Sequence, residues 1–153
     1  MIRSMEPGDL EAVAAIWLAA NQEAHAFLPT SYWTSRLAEV KDAMAQAEVW
    51  AFADEGRPGI LGFIGLQGDY IAGLFVRREA RSRGVGRQLL DHVKTGRAEL
   101  KLQVYVNNPR AEAFYRREGF RCAGEGVDPE TGQRERCMAW HRPGGQGEGR
   151  ADT

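Results

Sequence analysis

The segment Arg81-Ser82-Arg83-Gly84-Val85-Gly86 constrains this chain more than any other. It follows an apolar run, Ile71-Ala72-Gly73-Leu74-Phe75-Val76, and opens an amphipathic one in which Val85, Leu89, Leu90 and Val93 fall on one helical face. The pattern is strand, tight glycine loop, helix. Amides at a helix start lack intrahelical partners, and the helix dipole adds partial positive charge. Such a junction is a ready anion site, suited to phosphate. Arg77, Arg78, Arg81, Arg83 and Arg87 crowd the same stretch, so the chain is expected to grip a phosphorylated ligand.

The rest of the chain supplies a sheet and helices around this junction. Ile2 to Met5 reads as a short strand. Pro7-Gly8-Asp9 breaks it and offers Asp9 as the N-cap of a helix running to about His25. Thr30 or Ser31 can cap a second helix with Trp33, Leu37, Val40 and Met44 on its apolar face. Val49 to Ala53, Ile60 to Leu66 and Tyr70 to Val76 form an antiparallel meander, the first turn being Asp54 to Gly59. The glycine-loop helix ends near Ala98, and Leu102, Val104 and Val106 alternate as a half-buried strand. Pro109 suits the first turn of a short helix that stops at Gly119. A hairpin, about 120–127 and 133–141, turns through Asp128 to Gly132. The expected order is β-α-α-β-β-β-α-β-α-β-β: a mixed α/β (α+β) domain around one mostly antiparallel sheet flanked by helices, and not a doubly wound one. Residues 1–141 form the domain, and 142–153, rich in glycine and charge, read as a disordered tail.

Composition narrows the function. The 153 residues suit one core. A net charge of −1 gives no global field for nucleic acid or an anionic membrane. No segment reads as a signal peptide, and no run approaches the ~20 apolar residues of a membrane-spanning helix. A cytoplasmic protein is expected, with no nucleic-acid or membrane partner. Cys122 and Cys137 lack metal-ligand spacing and are expected to be free thiols on paired strands; no metal is expected.

Which phosphate ligand the loop takes follows from what is missing. A P-loop requires Gly-Lys-Ser/Thr, whereas Gly86-Arg87-Gln88 stands here. A dinucleotide fingerprint requires a third glycine where Leu89 lies. Arg81-x-x-Gly84-x-Gly86 instead resembles the acyl-CoA pyrophosphate loop (Gln/Arg-x-x-Gly-x-Gly/Ala) of the GNAT superfamily of N-acetyltransferases. Downstream, Asn108-Pro109-Arg110-Ala111-Glu112-Ala113-Phe114-Tyr115-Arg116-Arg117-Glu118-Gly119-Phe120 resembles that family's Asn-x-x-Ala-x-x-Phe-Tyr-x-x-x-Gly-Phe segment. The resemblance covers roughly residues 1–141, and the first helix, ending in His25-Ala26-Phe27-Leu28, is similar to that of small stand-alone bacterial members.

The resemblance implies direct acetyl transfer from acetyl-CoA to a primary amine: a lysine side chain, a protein N-terminus or a small molecule. It implies that the amides of Arg81, Ser82, Arg83, Gly84, Val85, Gly86 and Arg87 hold the pyrophosphate. Backbone groups of Leu74, Phe75 and Val76 would pair with pantetheine, and Asn108 would touch the cofactor arm. Tyr115 would protonate the departing thiolate, with Phe114 left to packing. Glu23 and His25 stand where the family binds acceptors, and His25 is the better base by its ordinary pKa. His25, Trp33 and Tyr70 are candidate acceptor-binding residues, with Tyr32 and Trp50 as further aromatic candidates; His92 and His141 have no expected role. A catalytically silent acyl-CoA sensor remains the alternative. Either a monomer or a homodimer fits.

Overall fold

The computed structural model describes residues 1–54, 56 and 59–143. Two compact units divide the chain, Met1–His92 and the remainder from Val93.

The first unit opens with β1 (Ile2–Ser4) and a 3-10 turn at Pro7–Asp9. α1 (Leu10–Ala24) follows, with His25 at its C-cap. Asp9 precedes α1, but its carboxylate does not cap it. It takes both Arg3 guanidinium nitrogens, at 2.5 and 3.0 Å, and the Glu6 amide at 2.9 Å.

The expected second helix is two helices, α2 (Thr30–Thr34) and α3 (Leu37–Gln46). The break is local chemistry. Thr34 Oγ1 bonds back to Thr30 O at 3.2 Å and Ser35 Oγ to Tyr32 O at 2.8 Å. Hydroxyls that bond to the preceding turn compete with the helical ladder and bend it. Thr30 lies inside α2, and Pro29 occupies its cap position.

β2 (Glu48–Ala53), β3 (Ile60–Gln67) and β4 (Tyr70–Val76) form the expected meander, and β1 adds to β2, all antiparallel. The turn 54–59 falls partly outside the described residues. β3 is nearly continuous in burial, and Val13, Ile16, Met44, Val49, Ala51, Ile60 and Phe63 form one apolar cluster. Opposite β3, β4 carries one extra residue, Ala72, since Gly65 faces Gly73 and Leu66 faces Ile71.

α4 (Val85–Lys94) buries the stripe read from the sequence: Val85, Leu89, Leu90 and Val93 are each at most 3 % exposed. Each such burial stabilises by roughly 1.5–3 kcal/mol. The helix stops at Lys94 rather than near Ala98, because Gly96 adopts φ +81° and Arg97 N closes on Lys94 O.

In the second unit, β5 (Glu99–Tyr105) alternates as expected, with Leu100, Leu102 and Val104 buried. α5 (Pro109–Arg117) has Pro109 in its first turn and ends at Gly119, φ +96°. β6 (Arg121–Val127) and β7 (Arg134–His141) are antiparallel, and β7 also pairs antiparallel with β5. Between Asp128 and Gly132 the turn closes by Gly132 N to Asp128 O at 2.8 Å, with Gly132 at φ +75°. Cys122 and Cys137 are free thiols on these paired strands. Of the expected tail, 144–153 lies outside the described residues.

Candidate active site

Between β4 and α4 the backbone changes hand twice. Ser82 has φ +64° and Gly84 φ +80°. Gly84 meets this at no steric cost, whereas Ser82 is the one described non-glycine residue with positive φ. Alternating hands turn successive N–H groups toward one point, the geometry of an anion-binding nest. Among the described residues, the amides of Ser82, Arg83, Gly84, Val85 and Gly86 donate to no protein acceptor. The next backbone donation along the chain is Gln88 N to Gly84 O, at 3.0 Å. Five consecutive open amides at the positive end of a ten-residue helix are therefore available to an anion.

The arginines around this nest divide by partner. Arg77 Nε donates to Ile60 O at 2.6 Å and belongs to the sheet. Arg81 Nη2 donates to Glu23 Oε1 at 2.6 Å, and Arg78 Nε lies 3.5 Å from the same carboxylate. Arg87 faces Asp91 one turn along α4, at 4.0 Å. Arg83 is exposed.

β4 leads into the nest. Arg77 N bonds to Leu61 O at 2.7 Å, which fixes the alternation of the β3–β4 ladder. In that register Leu74 and Val76 sit in non-hydrogen-bonded pairs with β3. Their N–H and C=O groups face the other edge of β4, while those of Phe75 bond to β3. Gly62 on β3 permits the close approach here: a Cβ there would lie 2.8 Å from Phe75 O and 3.2 Å from Val85 Cγ1. Tyr70, at the start of β4, is 39 % exposed.

His25 and Trp33 come together, with ring centroids 5.4 Å apart, and Phe27, Tyr32 and Trp17 stack around them. His25 is buried, and its Nδ1 lies 3.0 Å from Asn21 Oδ1. Because Asn21 Nδ2 donates to Trp17 O, Oδ1 accepts and the His25 proton sits on Nδ1. Desolvation pushes the His25 pKa down to about 4. The buried ring is therefore neutral near pH 7, packed among Phe27, Trp33 and Asn21. His92 packs edge-on to Trp50 with centroids 4.4 Å apart.

In the second unit, Asn108 and Tyr115 share α5. Asn108 Oδ1 accepts from Ala111 N at 3.3 Å, so the side chain caps the helix. Tyr115 is 7 % exposed, edge-on to Phe114 and Phe120. Burial raises its pKa above the ordinary phenol value, so the hydroxyl is protonated at neutral pH and resists ionisation. Glu112, one turn before Tyr115, receives Arg116 at 2.8 Å and Arg136 of β7 at 2.5 Å. These charges hold Glu112 below the usual carboxylate range and tie α5 to the sheet. The sequence reading passed over Glu112, although its i,i+4 spacing to Arg116 was visible.

A strand, an open amide nest and a helix, followed downstream by a capped helix carrying a buried tyrosine, are the parts of an acyltransferase. The chain belongs to the GNAT acetyltransferase family: a profile describing an acetyltransferase (GNAT) domain matches residues 45–122. Peptidyl-lysine N-acetyltransferase YiaC of Escherichia coli is 32 % identical over 92 % of this chain and 96 % of its own length. Peptidyl-lysine N-acetyltransferase YjaB of the same organism is 30 % identical over 86 % of this chain and 89 % of its own. The solution structure of apo YjaB from Escherichia coli superposes with a TM-score of 0.81 at 30 % identity, covering 92 % of this chain and 96 % of that one. The mixed α/β fold is thus the GNAT fold, and the protein is an acyltransferase. No helix among the described residues is long and apolar enough to cross a membrane, and none of their His, Cys, Asp and Glu clusters could hold a metal ion.

Proposed function

We propose that this enzyme transfers the acetyl group of acetyl-CoA to the ε-amine of a lysine in a protein or peptide. The observation that carries the donor half is the run of five open amides from Ser82 to Gly86 at the start of α4. The acceptor half rests on the full-length relatives named as peptidyl-lysine N-acetyltransferases.

In this reading the open amides from Ser82 to Gly86 hold the pyrophosphate together with the dipole of α4, while the Arg81 amide is already donated to Arg78 O at 3.3 Å. Leu74 and Val76 offer their outward N–H and C=O groups to pantetheine as a strand would, and an N–H of β4 polarises the thioester carbonyl. The neutral amine adds to that carbonyl, the C–S bond breaks, and the departing sulfur takes the Tyr115 hydroxyl proton. The proton lost by the nitrogen passes to solvent, which reprotonates Tyr115. The Tyr115 phenol is protonated at neutral pH and so has a proton to give. Asn108 starts α5 and is assigned to the cofactor arm. Of the acceptor candidates, Tyr70 is assigned to acceptor contact, and His25 and Trp33 are left to packing.

The test is thiol release from acetyl-CoA with lysine peptides, with mass spectrometry locating the added acetyl group. Tight CoA binding with no turnover on any amine would sink the reading.

A further inference from the structure

Glu23 stands in the last turn of α1, the negative end of that helix dipole, where there is no basic residue on the helix itself. Its carboxylate is nevertheless shared by two guanidinium groups from the far side of the unit's sequence. Arg81 lies at 2.6 Å and Arg78 at 3.5 Å. Arg81 immediately precedes the open amides, which begin at Ser82. Both partners are accessible, with side-chain exposures of 39 % for Glu23 and 32 % for Arg81. An ion pair of that exposure is weak enough to be exchanged.

Charge counting shows what drives the exchange. One carboxylate against two guanidinium groups leaves a net positive charge, which repels an ammonium. A diphosphate diester gripped by the nest brings two negative charges and, like a carboxylate, bonds arginine in bidentate fashion, so it competes for the same guanidinium groups. The local sum then becomes negative, and a carboxylate at a helix C-terminus is left facing a cationic amine.

We propose that Glu23 couples the two substrates: the donor's diphosphate competes with it for Arg81, and the carboxylate so released takes the ammonium of the acceptor. This rests on the acetyl-CoA and lysine reading above. Glu23 is a positioning and specificity residue here, and the proton chemistry stays with Tyr115 and solvent.

Glu23→Gln separates the two halves, with Glu23→Asp as a charge-retaining companion. Titration calorimetry with CoA is expected to show about fivefold tighter binding for Glu23→Gln, the equivalent of ~1 kcal/mol, because Arg81 no longer has a competitor. Acetyl transfer to a lysine peptide is expected to show KM raised about fivefold or more, with kcat affected less. Peptide affinity in the wild type rises when CoA is added; in Glu23→Gln that increase disappears, and in Glu23→Asp part of it returns. Unchanged or weaker CoA binding in Glu23→Gln overturns the inference, as does an unchanged peptide KM. A wild type that acetylates small cationic amines but no lysine peptide overturns the lysine reading alone, and the KM for those amines then decides the coupling. A wild type inactive toward every amine overturns both.

Discussion

Replacing Gly62 by alanine tests whether β3 and β4 must approach as closely as they do beneath the nest. The added Cβ would lie 2.8 Å from Phe75 O, 3.3 Å from Val76 Cα and 3.2 Å from Val85 Cγ1. Carbon and carbonyl oxygen ordinarily meet at about 3.3–3.6 Å, so β4 must move by roughly half an ångström. Two of the three contacts are backbone, which has no rotamer to yield. Overpacking of this kind costs about 1–3 kcal/mol. For a chain of this size that lowers Tm by roughly 2–12 °C. The residues displaced are Phe75, Val76 and Val85, on which the proposed pantetheine strand and the nest are built, so CoA affinity falls along with stability. Gly65, three residues along the same strand, supplies the control. A Cβ there meets only Val49 Cγ2, at 3.8 Å, which is ordinary contact. Alanine at 65 removes backbone freedom worth about 0.5–1 kcal/mol and is expected to hold or raise Tm. Thermal unfolding by circular dichroism and CoA titration of both variants form the assay. Indistinguishable midpoints for the two variants, or a Gly62→Ala protein with wild-type stability, would refute the steric reasoning.

Three further outcomes are expected. His25 is neutral in the fold, with a pKa near 4 against an ordinary 6.5. The unfolded chain therefore binds the extra proton between those values, and stability is complete above about pH 6.5 and falls as pH drops toward 4, by a span on the order of 3 kcal/mol. Unfolding midpoints measured from pH 8 to 4 should show this slope, and a His25→Phe protein should show less of it. Glu112→Gln keeps the size of the side chain but removes the charge that receives Arg116 and Arg136; Tm should fall by roughly 2–4 °C, and no fall would remove the ion pairs from the list of forces holding α5. Tyr115→Phe leaves the ring stacked on Phe114 and Phe120, so the fold and CoA affinity should persist while kcat drops about 10²-fold or more; wild-type kcat would end the general-acid assignment.

Much of the frame was readable because local stereochemistry leaves few options. Gly84, Gly119 and Gly132 stand where positive φ is needed, and Pro109 where an amide has no partner. The alternation of Leu100, Leu102 and Val104 gave away β5. Gly96 carried an equally good stop signal for α4, and apolar periodicity beyond it masked that signal. The break between α2 and α3 depends on which way two hydroxyls turn, a choice that Trp33, Leu37 and Val40 do not reveal. The site divided in the same way. The nest follows from spacing within six residues. The burial of His25 depends on Asn21, Phe27 and Trp33 closing around it, and an ion pair from residue 23 to residue 81 has no local signature.

β6 has a consequence of a different kind. It is the last strand of the β5-β7-β6 arrangement, every residue of it is exposed, and among the described residues it pairs with β7 alone. An outermost strand of that sort is a template on which another chain can grow. Here the template is spoiled. The register slips at Ala123, Gly124 and Gly126 weaken the extended run, and Arg121 and Glu125 put opposite charges along it. Glu125 is itself held by Arg134 and Arg136. This edge is thus a poor strand for another chain to pair with, and straightening that bulge would make it a better template.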